Sequence, residues 1–314
     1  MNVLITSAGR RVELVRLFKR AQAAENGRVF CADCSDSAPA LKFCDKPFVV
    51  GRIDSGNYIE QLLGICKAEN VGLLVPTIDT ELEILAENAR RFLDEANCRV
   101  SVSPPKTVRI CADKVKTQAF FEQNNIKCPK MVSSDICGSL GLKYPMFIKP
   151  RAGSSSVNAF KANNYEQYSF FREYVKDCIV QEFVSGEEYT VDMLCDFNGN
   201  FKAMGARRRL SVRAGEVLKG LTVKDAQIES TVKDIAKKLR FFGVITLQCI
   251  KNESGIYFTE INARFGGGAP MSVYAGLDLP RHLIDIAKGK DVCIADSFRE
   301  NMLFSRFDDC VLAR

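Results

Sequence analysis

Through the first hundred positions apolar residues come in short blocks, and between the blocks they recur every three or four residues. The blocks predict β-strands at Asn2–Thr6, Arg28–Ala32, Pro47–Val50, Gly72–Pro76 and Arg99–Val102. The spaced segments Val12–Ala24, Tyr58–Glu69 and Glu81–Ala96 predict amphipathic helices. Strands alternating with helices make a parallel, doubly wound α/β sheet, and ligands of such sheets lie outside the carboxyl ends of the strands. The turns at those ends carry Ser7-Ala8-Gly9, Asp33 and Thr77-Ile78-Asp79. Ser103-Pro104-Pro105 interrupts the pattern and marks a boundary. Beyond it a helix is predicted over Val108–Asn124 and a strand over Pro145–Lys149. Strands then dominate: Cys178–Val184, Glu188–Asp196, Phe201–Leu210 and Glu216–Thr222, with a tight turn at Asn198-Gly199. A helix over Ala226–Arg240 and a helical run over Pro270–Lys288 complete an α+β region.

Residues 243–268 form the most informative stretch. Two strands flank Glu253-Ser254-Gly255, which suits a three-residue hairpin loop with Gly at its left-handed position. That register pairs Asn252 with Ile256 and sets Gln248 opposite Glu260, with Cβ atoms roughly 5 Å apart. Asn262, two residues on, shares their face. Three oxygen-bearing side chains converging on one point suit a hard cation such as Mg²⁺. The apolar neighbours Leu247, Cys249, Ile250, Phe258 and Ile261 imply burial, where an unpaired carboxylate is costly. A solvated polar stripe on an edge hairpin is the plainer alternative.

Bulk properties narrow the field. The chain has 314 residues, 46% hydrophobic and 26% charged, which is enough for two or three packed domains. A formal charge of +6 suits a small anionic ligand and is too weak to argue for nucleic acid. No window has the apolar length of a membrane span, and the first residues lack the charge order of a signal peptide. Thirteen cysteines are scattered, several inside apolar segments, and their odd number favours a reducing cytoplasm. Cys31 and Cys34 form a CxxC without a second pair, so a strand end is preferred over a zinc or redox site. The single histidine, His282, excludes a multi-histidine metal centre and reads as a helix residue near a surface.

Two segments carry candidate phosphate and nucleoside chemistry. Lys149 ends the apolar run Met146-Phe147-Ile148, so its stem is buried and its ammonium needs an anionic partner. Arg151-Ala152-Gly153-Ser154-Ser155-Ser156 follows, where small residues let backbone N–H groups approach phosphate oxygens and the hydroxyls add donors. In residues 180–194 a Ser185-Gly186 kink joins two strands and offers backbone groups to an adenine edge, while Glu188 is placed for a ribose diol. Ser7-Ala8-Gly9 lacks the spacing of a dinucleotide loop, and Asp33 there reads as either a ribose acid or a loop cap. Arg10 and Arg11 at a helix start oppose the helix dipole, which suggests an anion between them or two solvated side chains.

DKVKT at 113–117, FIKPRAGSSS at 147–156, QEFVSGEEYTVD at 181–192 and FTEINARFGGG at 258–268 together resemble the ATP-grasp superfamily, in order and in spacing. TIDTELEILAE at 77–87 resembles the preceding domain of carbamoyl-phosphate-synthase-like members. The resemblance implies an α/β fold class, an ATP-grasp fold preceded by a Rossmann-like parallel α/β domain. It divides the chain into that first domain (1–105), a small subdomain with the phosphate loop (106–185) and a large subdomain with the metal and substrate site (186–314). It implies that Lys114 and Lys149 contact ATP phosphates and that Gly153, Ser154, Ser155 and Ser156 cover them. Gln181, Glu182 and Val184 would face adenine, the last two mainly through backbone, and Glu188 would hold ribose. Glu260 and Asn262 match Mg²⁺ ligands, and Arg264 matches the arginine beside the transferring phosphate. Gln248 stands where an acid is commoner, which supplies less charge to one of two metal sites.

Such enzymes use ATP and Mg²⁺ to activate a carboxylate as an acyl phosphate for attack by an amine, so small-molecule acid and amine partners are expected, with no nucleic acid, no membrane and a homodimer common among relatives. Alternation puts Arg207 and Arg209 on one strand face, and either of them or Lys219 is expected to meet phosphate or substrate carboxylate. The turn Gly266-Gly267-Gly268-Ala269-Pro270 opens a helix that could receive a substrate carboxylate. Arg264, Lys219 and Arg207 are the catalytic candidates. Two other readings stay open at this level: a carboxylase or carbamoyl-phosphate-type enzyme that uses bicarbonate, and a nucleotide-binding regulatory subunit without turnover.

Overall fold

The computed structural model describes residues 1–132, 143–153, 157–294 and 297–312. Strands β1 (Asn2–Thr6), β2 (Val29–Asp33), β3 (Lys46–Val49), β4 (Val71–Pro76) and β5 (Arg99–Val100) form a parallel sheet in the order β3-β2-β1-β4-β5. Val3 and Ile5 point to one face, where helix α1 (Val12–Gln22) contributes Leu14, Val15 and Phe18. Leu4 and Phe30 point to the other, beneath α2 (Tyr58–Ala68) and α3 (Leu82–Ala96). The predicted strands and helices of this domain all occur, with ends displaced by at most two residues, as fraying and capping dictate.

The helix predicted over Val108–Asn124 is in fact two, α4 (Pro105–Ala112) and α5 (Lys114–Gln123). Asp113 breaks them: its backbone is extended and its side chain accepts from the N–H groups of Val115 and Lys116. Phe121 of α5 packs on Phe258, ring centroids 6.1 Å apart. An antiparallel sheet follows, β6 (Met146–Pro150), β7 (Phe160–Ala162) and β8 (Cys178–Glu182), in the order β7-β6-β8 and backed by α6 (Tyr165–Tyr174).

The largest sheet is antiparallel and six-stranded. It holds β9 (Glu187–Cys195), β10 (Phe201–Arg213), β11 (Glu216–Val223), β12 (Gly243–Asn252), β13 (Gly255–Asn262) and β14 (Leu303–Ser305), in the order β13-β12-β9-β10-β11-β14. Helix α7 (Ala226–Lys238) covers one face. The run predicted over Pro270–Lys288 divides into α8 (Ala269–Tyr274) and α9 (Leu279–Ala287), because Gly276 adopts φ +110° and Asp278 caps a new start. Strands β7 and β14 and helix α6 were not predicted; the strands are three residues each, too short to show a period.

The β12–β13 hairpin corrects one expectation and meets another. Asn252 pairs with Gly255, so the loop is two residues and Ile256 faces Lys251. Asn252 Oδ1 accepts from the Ser254 N–H at 2.9 Å, which closes the tighter turn. The register would then misalign the polar residues, but a bulge inserts Thr259 and restores Gln248 opposite Glu260. Thr246 stands opposite Asn262.

Candidate active site

Between the three-stranded and six-stranded sheets lies a cleft of about 520 Å³. Lys114, Lys149, Gly153, Gln181, Glu182, Val184 and Glu188 all border it, with Gln248 and Glu260 at its inner end. Ser154, Ser155 and Ser156, the rest of the predicted phosphate loop, lie outside the described residues. Lys149 occupies the end of β6, buried beside the Phe147 ring, and makes no ion pair among the described residues. Burial pulls its pKa down to about 8, against the opposing pull of the Glu260 carboxylate. Lys114 begins α5 and its Nζ donates to Gly153 O at 2.7 Å, while Arg151 grips Asp113 through two hydrogen bonds of 2.6 and 3.0 Å. The loop's entry is therefore tied to the helix that carries the first lysine.

The nucleoside end is only partly as expected. Gln181 is buried, and its amide nitrogen donates to Gln118 Oε1 at 2.6 Å. That half of the side chain is committed inside the protein. Glu182 Oε1 accepts from the Lys130 N–H at 3.0 Å. Glu188 stands at the mouth, more than half exposed, 3.5 Å from Arg209.

A second, smaller chamber of about 80 Å³ adjoins the cleft and shares Arg209, Gln248 and Glu260 with it. Asn262, Arg264, Arg207, Arg11 and Gly266–Gly268 complete its wall. Four guanidinium groups thus surround one small space. Nε of Arg207 and of Arg264 is buried and has no hydrogen-bond partner among the described residues, while that of Arg209 lies 3.5 Å from Glu188. An N–H left so is costly unless a ligand takes it. Burial pulls the pKa of Arg11 and of Arg209 down, with Glu216 and Glu188 respectively opposing it. The Glu260 carboxylate, half-buried, makes no hydrogen bond or ion pair among the described residues. Gln248 Oε1 accepts from Arg209 Nη1 at 3.1 Å. An unpaired carboxylate beside two amide oxygens, facing an unpaired lysine and a ring of arginines, fits Mg²⁺ and phosphate together and neither one alone.

Of the catalytic candidates, Arg207 borders the chamber in a different state from the one expected, and Lys219 does not border it. Arg207 is 1% exposed and its guanidinium pairs with Asp192, which is fully buried; Nη1 also donates to Ser272 Oγ at 2.9 Å. It acts as a strut for the chamber, with most of its charge spent inside. Lys219 is exposed on β11, opposite Ser305 of β14, and borders neither cavity. Arg264 borders the chamber, and its Nη2 pairs with Asp79 at the carboxyl end of β4. Asp33 caps its loop, accepting from the N–H groups of Gly9 and Ser35 at 2.8 and 2.9 Å. Cys31 and Cys34 are free thiols, one buried and one exposed. Sequence reasoning missed Asp192, whose one signal was an acid inside the apolar run Tyr189–Leu194, and reached Glu216 only as part of the segment 211–220, expected to contact substrate, without singling it out.

A family model described as an ATP-grasp domain matches residues 111–268, just over half of the chain, and one described as a PylC-like N-terminal domain matches residues 3–100. The carbamoyl-phosphate synthase of Methanobrevibacter smithii is 23% identical over 291 residues, covering 85% of this chain and 76% of that one. The 3-methyl-D-ornithine–L-lysine ligase of Methanosarcina mazei is 24% identical over 226 residues, covering 70% of this chain and 56% of the ligase. Among solved structures, the biotin carboxylase domain of Hydrogenobacter thermophilus 2-oxoglutarate carboxylase, in complex with MgADP and bicarbonate, superposes with a TM-score of 0.76 at 18% identity, over 96% of this chain and 73% of that one. Staphylococcus aureus N5-carboxyaminoimidazole synthetase complexed with ADP gives 0.73 at 15%, over 93% and 78%. Among the described residues no helix is long and apolar enough to cross a membrane.

Proposed function

Because this chain belongs to the ATP-grasp family, we propose that it is a Mg·ATP-dependent ligase that joins a carboxylic acid to an amine. Bound Mg·ATP would supply the γ-phosphoryl group: a carboxylate oxygen takes it as ADP leaves, and the amine then displaces phosphate from the acyl phosphate and gives up a proton. The chain's own residues bind and orient. Lys149 and Lys114 neutralise phosphate charge, Glu260 with Asn262 and Gln248 holds the metal, and Glu188 takes the ribose diol. Arg264 offers its unpartnered Nε–H, and Arg209 its positive charge, to the carboxylate and to charge developing on the transferring group. Asp192 keeps Arg207 aligned behind them. Positioning and electrostatics suffice for this chemistry, so the lack of a histidine in the site is no obstacle.

One observation carries the reading: the arginine-lined chamber adjoins the nucleotide cleft and shares Arg209, Gln248 and Glu260 with it. An anion held there sits beside the metal residues. The dimer named for the 2-oxoglutarate carboxylase domain supports a homodimer, and the free thiols support a cytoplasmic setting. Residues 1–105 are assigned to the domain preceding the ATP-grasp fold, 106–185 to its small subdomain and 186–314 to its large one.

A screen of carboxylic acids and amines, singly and in pairs, tests the proposal by release of ADP and phosphate. Release that needs both partners and disappears in Glu260→Ala is the expected result. A second reading, bicarbonate as the activated acid, draws on the likeness to carbamoyl-phosphate synthase over most of the chain. Turnover with bicarbonate and no other acid would favour it. ATP binding without turnover under any condition would leave a nucleotide-binding subunit.

A further inference from the structure

The chamber has a second neighbour. A larger cleft of about 630 Å³ shares Arg11 and Gly266–Gly268 with it and runs outward between α1, α8 and the segment after β14. Nucleotide cleft, arginine chamber and outer cleft therefore form one row. Phe43, Tyr274, Phe304 and Phe307 line the outer cleft. Phe307 is 83% exposed and Tyr274 42%, and the rings of Phe43 and Tyr274 carry Arg16 and Arg20 respectively on one face. A half-apolar cavity of this volume with a few charged groups is the usual form of a small-molecule site.

Its charges give the sign of the ligand. Glu13 pairs with Arg16 and accepts from the Tyr274 hydroxyl, and Asp308 pairs with Arg213, whereas Asp309 accepts only from the N–H of Cys310 and offsets one cation. The cations are not all matched. Arg11 and Arg306 share a single carboxylate, Glu216, at 3.6 and 2.7 Å. Arg10, exposed at the start of α1, makes no ion pair among the described residues. The unspent charge is positive.

We infer that the outer cleft holds the body of the activated acid, and that this acid carries an aromatic or large branched apolar group behind its carboxylate. The carboxylate is held where the two cavities meet, at Arg11 and the Gly266–Gly268 backbone, and the apolar body stays against the four rings. This rests on the reading of the chamber as the carboxylate site. A small hydrophilic acid would leave the rings wet, and an ammonium group in place of the carboxylate would face surplus arginine.

Calorimetric titration of the full chain without nucleotide tests this with three probes: phenylpropanoate, propanoate and phenylethylamine. Burial of one aromatic ring predicts that phenylpropanoate binds at least about tenfold more tightly than propanoate. It is also expected to outbind phenylethylamine, which has the same ring and the opposite charge. Phe307→Ser, at an exposed ring with no folding role, is expected to cut the phenylpropanoate advantage severalfold and leave propanoate unchanged. Equal binding of the two acids, preferred binding of the amine, an unaltered advantage in Phe307→Ser, or no binding of any probe at millimolar concentration would each overturn the inference. Tight phenylpropanoate binding with no acid-dependent ADP release would instead sink the ligase reading and leave the cleft's preference standing.

Discussion

Lys149 stands at the end of β6 with its stem under Phe147, and in the free protein burial holds its pKa at about 8. Arriving phosphate favours the ammonium, so binding raises that pKa and takes up a proton wherever the free lysine is already neutral. The sign follows: nucleotide affinity carried by this lysine is fully present below pH 8. It weakens above that by up to about tenfold per pH unit until the bound-state pKa is passed. Calorimetry in buffers of different ionisation enthalpy, just above pH 8, is expected to show net proton uptake that vanishes in Lys149→Met. Asp192 gives a second prediction. Removing it strands a buried guanidinium, so Asp192→Ala is expected to cost about 3–5 kcal/mol in urea unfolding, most of it regained by adding Arg207→Met. Lys149, Glu260, Asn262 and Arg264 were legible in the sequence because each polar group interrupts an apolar strand or follows one. The partner of Arg207 was not, since it lies across a strand pair that only the sheet order reveals.

At the level of elements, the β12–β13 hairpin and the glycine turn build the chamber. Gln248 and Glu260 were expected to face each other, and they do, by a different route: a shorter loop and a one-residue bulge at Thr259. Nothing in the residue type of Thr259 announces a bulge, because threonine is an ordinary strand residue. Gly268 is needed for space and not for backbone freedom, its φ being −93°. A Cβ there would lie 2.7 Å from Val217 and 2.8 Å from Arg207 Nη2, both fixed in the wall. Gly268→Ala is therefore expected to destabilise the fold by about 1–3 kcal/mol, measured by thermal or urea denaturation. Acid binding is expected to weaken more than nucleotide binding does, since the strained wall belongs to the chamber. The helix breaks at Asp113 and Gly276 were also hard to see, because the apolar period continues through both.

On the scale of the whole molecule, the first domain completes the site. Asp79, in a loop at the carboxyl end of β4, reaches Arg264, and Arg11 at the start of α1 reaches Glu216. The rule that ligands sit at carboxyl ends of parallel strands pointed to the turns at Ser7–Gly9 and Thr77–Asp79, but not to the partners that Asp79 and Arg11 find in the later domains. The outer wall was not legible, because β14 is three residues long and the segment after it has no period. Asp79→Ala frees Arg264 without touching the nucleotide cleft. Its expected effect is a fall in kcat of about tenfold or more with nucleotide Kd essentially unchanged, read from steady-state kinetics and direct titration.

The central claim, that the carboxylate attacks the γ-phosphoryl group, is tested most directly by following oxygen. An acid accepted in the paired screen would be labelled with oxygen-18 in its carboxylate and turned over to completion with its amine. Transfer of one labelled oxygen into each phosphate released is the predicted result. Phosphate without label, with the oxygen lost from the carboxylate found in water instead, would contradict the account.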